Sequence, residues 1–201
     1  MLKWILWIVA AAVIIIGITV FFFMKGPDLS RFEYLKEPRI VQKPDQTMLV
    51  ITATGDPNQI GAKAFGALFS NYYKLENNQK AWPIAPRARW PKPLNTPKEQ
   101  WVGLYALPVS PTAKLPKSFK LDDLSIKVEI QTWHWGYAAE ILHIGSYGNE
   151  VPTVQRLMDF VKKNGYRVTG MHEEEYLRGP GMFGPGDPNK YYTIIRYSVS
   201  K

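Results

Sequence analysis

The stretch HEEEYL, residues 172–177, sets a histidine, three glutamates and a tyrosine side by side. Read as a strand, its alternation sends His172, Glu174 and Tyr176 to one face and Glu173 and Glu175 to the other. One carboxylate of the three then points into a groove among aromatic rings. An acid in such a place is costly to ionise unless it is protonated, paired with Arg or Lys, or met by a cationic ligand. The rings able to complete the site are Trp90, Trp101, Tyr105, Trp133, Tyr147 and Tyr176, whose π faces suit a flat lipophilic cation. The competing reading makes Glu174 a solvated charge on a strand edge and leaves about half of these rings in the core, as in any domain rich in aromatics.

A second stretch, AEILHIGSYGNE at 139–150, is an apolar run cut off by a histidine, two glycines and a tyrosine. His143 has the position of a hydrogen-bonded histidine closing a strand, and it is also a candidate ligand contact. Gly145 permits the turn. Tyr147 is the member of this stretch best placed to meet a ligand. Other chemistries lack their residues. His134, His143 and His172 reproduce no zinc spacing, so no metal is expected. GPGMFG at 179–184 matches a dinucleotide-binding pattern by letter, but it contains Pro180 and opens no helix, so no cofactor is expected. There is no Cys, no G-x-S-x-G and no G-K-[ST].

These residues need elements to position them. MLVITATG (48–55) reads as a strand, after which Asp56 caps a helix with Pro57 in its first turn and Ile60, Ala64, Phe65, Leu68, Phe69 and Tyr72 on one face. A Pro-rich connection leads to a strand at 100–109. The plan then repeats: a strand at 137–144, a helix opened by Pro152 with Val154, Leu157, Met158 and Val161 on one face, and a close at Asn164-Gly165. YRVTGMHEEEYL and KYYTIIRYSV follow as strands. Adding ninety to Gly55 gives Gly145, and adding ninety to Trp101 and Leu104 gives Tyr191 and Ile194. This offset predicts an α+β fold of duplicated strand-helix-strand-strand halves, their antiparallel sheets related by a pseudo-twofold axis with a central groove between them. Small-molecule pockets favour such an interface. The Gly- and Pro-rich loop at 178–190 is expected to be a long hairpin connection, with Met182 and Phe183 able to fold over the groove.

Residues 4–24 contain 21 positions without a charge, enough to cross a hydrocarbon layer of about 30 Å as a helix. The run is longer than a signal-peptide core and is followed by no small-x-small cleavage site. The expected organisation is therefore a transmembrane anchor at 1–25, a juxtamembrane linker at 26–38 that can touch headgroups through Leu29, Phe32 and Leu35, and a ligand-binding domain at 39–201. Lys25, Arg31, Lys36, Arg39 and Lys43 follow the run closely, and the positive-inside rule puts the domain in the cytoplasm. The chain carries +8 overall, spread without dense runs or a recognition helix, so nucleic acid is not an expected partner.

His143-Ile144-Gly145-Ser146-Tyr147, followed by Glu150, Pro152, Thr153 and Phe160, resembles the H-x-G-x-Y segment of the GyrI-like small-molecule-binding family, the effector-binding domain of AraC-type and multidrug-responsive regulators. Glu174-Glu175-Tyr176-Leu177 resembles its E-x-Y-L, and TIIRYSV (193–199) its closing strand. TGDPN at 54–58, Trp90 in RARWP, and Trp101 with Pro108 carry the likeness in the first half. The resemblance covers residues 37–200. It implies a ligand-sensing domain, with one branch of the family that hydrolyses cyclopropane-bearing drugs and one member that inhibits DNA gyrase. The chain departs from the hydrolase branch at Glu140, at Glu173 and at the 178–190 loop.

The residues thus support three functions. A membrane-anchored effector-binding domain would hold a hydrophobic or cationic small molecule, with Glu174 as counter-charge. A membrane-tethered adaptor would bind a protein partner and use no groove. A hydrolase of strained electrophiles would use Glu174 as general base, with Tyr147 or His143 orienting the reactants.

Overall fold

The computed structural model describes residue 4 and residues 28–81, 83–93, 96–117, 126–180 and 186–201. Apart from residue 4, the anchor expected at 1–25 lies outside the described residues, as does the Met182-Phe183 segment expected to fold over the groove. Among those that are described, no helix is long and apolar enough to cross a membrane. The chain divides into two units, 1–31 and 32–201, and every strand belongs to the second.

The first half runs through β2 (Gln46–Thr54), α1 (Pro57–Tyr72), β3 (Arg87–Trp90) and β4 (Val102–Pro108). The Asp56 carboxylate accepts the Asn58 backbone N–H at 2.9 Å, and the expected apolar positions of α1 pack on the sheet through Ala64, Leu68 and Tyr72. The second half runs through β6 (Gly136–Ile144), α2 (Val151–Lys163), β7 (Arg167–Val168), β8 (His172–Arg178) and β9 (Tyr192–Ser200). Gly165, at φ +72°, ends α2 in the left-handed region, with Lys162 and Lys163 in its last turn.

The offset of ninety holds in the hydrogen bonding. Ile51 faces Tyr105 across the β2–β4 ladder, and Ile141 faces Ile195 across the β6–β9 ladder. Gly55 N–H donates to Trp101 C=O at 2.9 Å, and Gly145 N–H to Tyr191 C=O at 3.0 Å. Both glycines have φ above +130°. The strand expected across 166–177 is interrupted: β7 and β8 pair with opposite ends of β9, and residues 169–171 carry the chain between them.

Two features depart from the expected arrangement. The halves do not form two facing sheets. Their inner strands pair directly, Ala88 against Glu174 and Trp90 against His172, to make one curled antiparallel sheet in the order β1 (Arg39–Lys43), β6, β9, β8, β3, β4, β2, β5 (Lys127–Trp133). In addition, two outer strands have no counterpart in the sequence reading. β1 (Arg39–Lys43) pairs with β6 of the second half, and β5 (Lys127–Trp133), which precedes that half, pairs with β2 of the first. The leading strand of each half thus lies on the other half. The links that carry this exchange meet where Asp45 accepts Trp135 N–H at 3.1 Å and bonds His134 Nδ1 at 2.6 Å.

Both helices pack on one face of the sheet, α1 over Leu49, Ile51 and Tyr105, α2 over Ile141, Ile195 and Tyr197. The opposite face holds Met48, Val50, Ala106 and Trp133, and a second cluster in which Leu35 packs with Leu142 and Ile194. Leu35 belongs to a 3-10 helix (Ser30–Lys36) and is fully buried in the domain, which removes it from any headgroup contact.

Candidate functional site

Where β3 meets β8, between the two helices, the sheet carries a groove of about 910 Å³. Tyr176 of β8 lines it, and Glu174 and His172, which alternation puts on the same face, lie behind that lining, within 4.8 Å of the Glu150 carboxylate. Glu174 is 6% exposed, and its Oε1 accepts the Trp90 indole N–H at 2.6 Å and lies 3.1 Å from His172 Nε2. Trp90 reaches it because β3 and β8 pair side by side, with Trp90 opposite His172 and Ala88 opposite Glu174. His172 Nδ1 lies 2.6 Å from the Tyr197 hydroxyl, so both ring nitrogens are engaged. Burial works to lower the His172 pKa, but the hydrogen bond and charge of Glu174, with Glu150 and Glu173, outweigh it and raise it.

The walls are aromatic. Trp90 packs on Trp101 and Tyr105 with ring centroids 5.3 and 5.7 Å away, and Phe65 of α1 stands edge-on to Tyr105 and Tyr176. Tyr147 meets Tyr176 and Tyr191. Gly179 backs the Tyr147 hydroxyl so closely that a Cβ there would fall 2.5 Å from it. The Tyr105 hydroxyl is buried with no hydrogen-bond partner, and burial followed by the charge of Glu174 pushes its pKa up to about 12. Burial and then Glu174 likewise hold the Tyr147 and Tyr176 hydroxyls above the ordinary phenol range.

Five of the six ring residues selected from the sequence line this groove: Trp90, Trp101, Tyr105, Tyr147 and Tyr176. Trp133 does not. It lies on the opposite face, where the Arg89 guanidinium stacks 3.9 Å from its ring. His143 is absent from the groove as well: Thr153 Oγ1 and the Ser146 carbonyl, each at 3.0 Å, take both of its nitrogens and tie the end of β6 to α2. The structure adds Phe65, Phe69, Tyr191 and Glu150 to the lining. The helical periodicity put Phe65 and Phe69 on the apolar face of α1, and the ninety-residue offset matched Tyr191 to Trp101; Glu150 was visible only as part of a motif.

Glu150 stands at the start of α2 without capping it, and its side chain turns into the groove. Burial first, then the charge of Glu174, raise its pKa to about 8, against a smaller pull from His172. One ligand atom each from Glu150, His172 and Glu174 falls within 4.8 Å of the others, a spacing a divalent ion can use. The hydrogen bond between His172 and Glu174 accounts for two members of the trio; Glu150 Oε1 stands 3.8 Å from His172 Nε2, beyond hydrogen-bond distance.

Glu173 and Glu175, on the far face of β8, belong to a different system. Glu173 is 0% exposed, with Arg89 Nε at 2.7 Å, Arg196 Nη1 at 3.7 Å and Arg87 Nη1 at 3.9 Å. Arg196 also holds Glu140 at 2.8 Å and Glu175 at 2.5 Å. These charges sit opposite one another across the β3–β8–β9 ladders and do not enter the groove.

No family model and no curated protein matches the chain. Solved structures do. A hydrolase from Listeria innocua superposes with a TM-score of 0.63 at 20% identity, covering 82% of this chain and 92% of that one. The EcmrR C-terminal domain gives 0.58 at 15% identity over 82% and 98%. EcmrR in complex with DNA gives 0.56 at 18% identity over 96% and 67%. At these identities the likeness is one of fold, shared by a protein named a hydrolase and by a domain of a DNA-bound protein.

Proposed function

We propose that the domain is a small-molecule effector-binding module of the GyrI-like kind, and that its ligand is a hydrophobic cation held by Glu174 between aromatic walls. The observation that carries this reading is a buried carboxylate directly behind the ring-lined wall of a groove, with no Lys or Arg against it among the described residues. Its hydrogen bonds come from Trp90, His172 and Tyr176, and the rings beside it offer π faces to a delocalised positive charge. The fold shared with the EcmrR C-terminal domain supports the same reading by analogy. Tetraphenylphosphonium titrated into the protein and followed by tryptophan fluorescence tests it. Glu174→Gln should weaken binding at least about tenfold, as expected for a charged partner lost in a dry site. Equal affinity in the two proteins removes the basis of the reading.

A second reading draws on the Glu150–Glu174 pair. With one carboxyl protonated beside another that can accept a proton, Glu174 would take a proton from water as it adds to a ring carbon of the cyclopropane, the ring C–C bond would break, and Glu150 would protonate the carbon, or the conjugated carbonyl oxygen, that receives its electron pair. Turnover of a cyclopropane-bearing probe that disappears in Glu174→Gln supports hydrolysis over simple binding.

In either case we carry residues 4–24 as a bilayer anchor and the cytoplasm as the domain's location. Release of the protein from membranes by alkaline carbonate, without detergent, argues against the anchor. A protein-adaptor role has less support than the groove readings, because the side chains of the described residues leave the groove open.

A further inference from the structure

Resting on the reading of the groove as a cation site, we propose that Glu150 is a second ligand-binding acid, which gives up its proton in exchange for the positive charge of a ligand bound beside Glu174.

The geometry places both acids on one histidine: Glu174 Oε1 is 3.1 Å and Glu150 Oε1 3.8 Å from His172 Nε2. The Glu150 side chain is 12% exposed, and its other oxygen, Oε2, is buried with no hydrogen-bond partner. From β8, Glu150 faces His172, Glu174 and Tyr176; from β9 it faces Tyr197. Tyr147 and Tyr191 line the same space from the turn before α2 and from the start of β9, and Lys98 and Arg178 stand at the exposed rim.

Charge neutrality then decides what a ligand does. Below about pH 8 the Glu150 carboxyl holds its proton, and a monocation entering the groove adds a positive charge in a water-poor place unless one proton departs. The Tyr147, Tyr176 and Tyr197 hydroxyls hold their protons too firmly to supply it. His172 is engaged on both nitrogens, by Tyr197 and by Glu174. Glu150 Oε2 has no such partner, so its proton is the one released, and the carboxylate it leaves supplies the second counter-charge.

The exchange sets a pH dependence. Glu150 titrates near 8 without ligand. Affinity for a permanent cation should therefore rise almost tenfold per pH unit below that value, about fifty-fold from pH 6 to pH 8, and level off above. Calorimetric titration of the protein with tetraphenylphosphonium at pH 7, in phosphate and in Tris, reads the proton directly from the difference in heat. About one proton released per ligand by wild type, with a flattened pH profile and lost release in Glu150→Gln, is the expected result. Binding without release overturns the exchange and leaves the cation reading standing. Release that persists in Glu150→Gln but disappears in His172→Gln assigns the proton to the histidine and also overturns it. No binding even at pH 9 overturns both. Because the two-buffer comparison needs only wild type, a variant that fails to fold does not block the test.

Discussion

Replacing Glu173 by Gln removes the carboxylate that three arginines share on the face away from the groove. The cost can be apportioned from their other partners. Arg87 keeps the Gln46 side-chain oxygen at 2.7 Å and Glu175 at 3.5 Å. Arg196 keeps Glu140 and Glu175. Arg89 keeps no carboxylate among the described residues, only the rings of Trp133 and Trp135 at 3.9 and 4.7 Å. The loss therefore falls on one guanidinium, 15% exposed, and should come to about 3 kcal/mol, the lower end for breaking a buried ion pair. Arg89→Met leaves Glu173 near two other arginines and should cost less, about 2 kcal/mol. The double variant should cost about 3 kcal/mol and not the sum, because the charge that the first change strands is removed by the second. Equilibrium urea unfolding followed by tryptophan fluorescence measures all three. A cost below about 1 kcal/mol for Glu173→Gln, or strict additivity, refutes this apportionment.

Three further outcomes concern other parts of the molecule. Gly55→Ala and Gly145→Ala should each destabilise by about 1–2 kcal/mol, since both positions hold φ above +130° and the new methyl meets Ile60 at 3.3 Å or His143 at 3.4 Å; thermal melts showing a neutral change at either would contradict their equivalence. Gly66→Ala, exposed within α1 and with nothing within 4 Å of the added carbon, should stabilise by up to about 1 kcal/mol in the same assay. The Glu150 carboxyl is raised from 4.5 to about 8, so between those values the folded chain keeps a proton that the unfolded chain has released. Its contribution is full below pH 4.5 and erodes by roughly 1 kcal/mol per unit as pH climbs toward 8. Glu150→Gln should flatten that slope, and unfolding curves with parallel pH dependence in the two proteins would speak against it.

Much of this architecture can be read in the residue order because it repeats. Asp56-Pro57 and Asn164-Gly165 are local start and stop signals, and Gly55 with Gly145 mark the same bend twice, so spacing alone aligns the halves. Period-two alternation in HEEEYL was enough to sort Glu174 from Glu173 and Glu175, because a strand leaves no third choice. The outer strands were not legible: RIVQK and KVEIQTW are short, carry charge, and take their meaning from a partner about a hundred residues away. The merging of two sheets into one is likewise a long-range pairing, Ala88 with Glu174, that no local pattern encodes. Trp133 misled because aromatic type says nothing about which face a ring occupies. Glu150 escaped selection because an acid before a helix is ordinarily a cap or a dipole partner, and only the fold turns it inward.

The exchange of β1 and β5 between halves has a consequence for how the molecule can come apart. Each repeat, taken alone, would present a bare backbone edge where the other repeat's leader belongs, and would carry a leader with nowhere to lie. Neither is a self-sufficient body. Nicking the connection between β4 and β5 would leave two pieces still interlaced, like clasped hands, and pieces prepared apart should find each other or else seek the missing edge in a second copy of themselves.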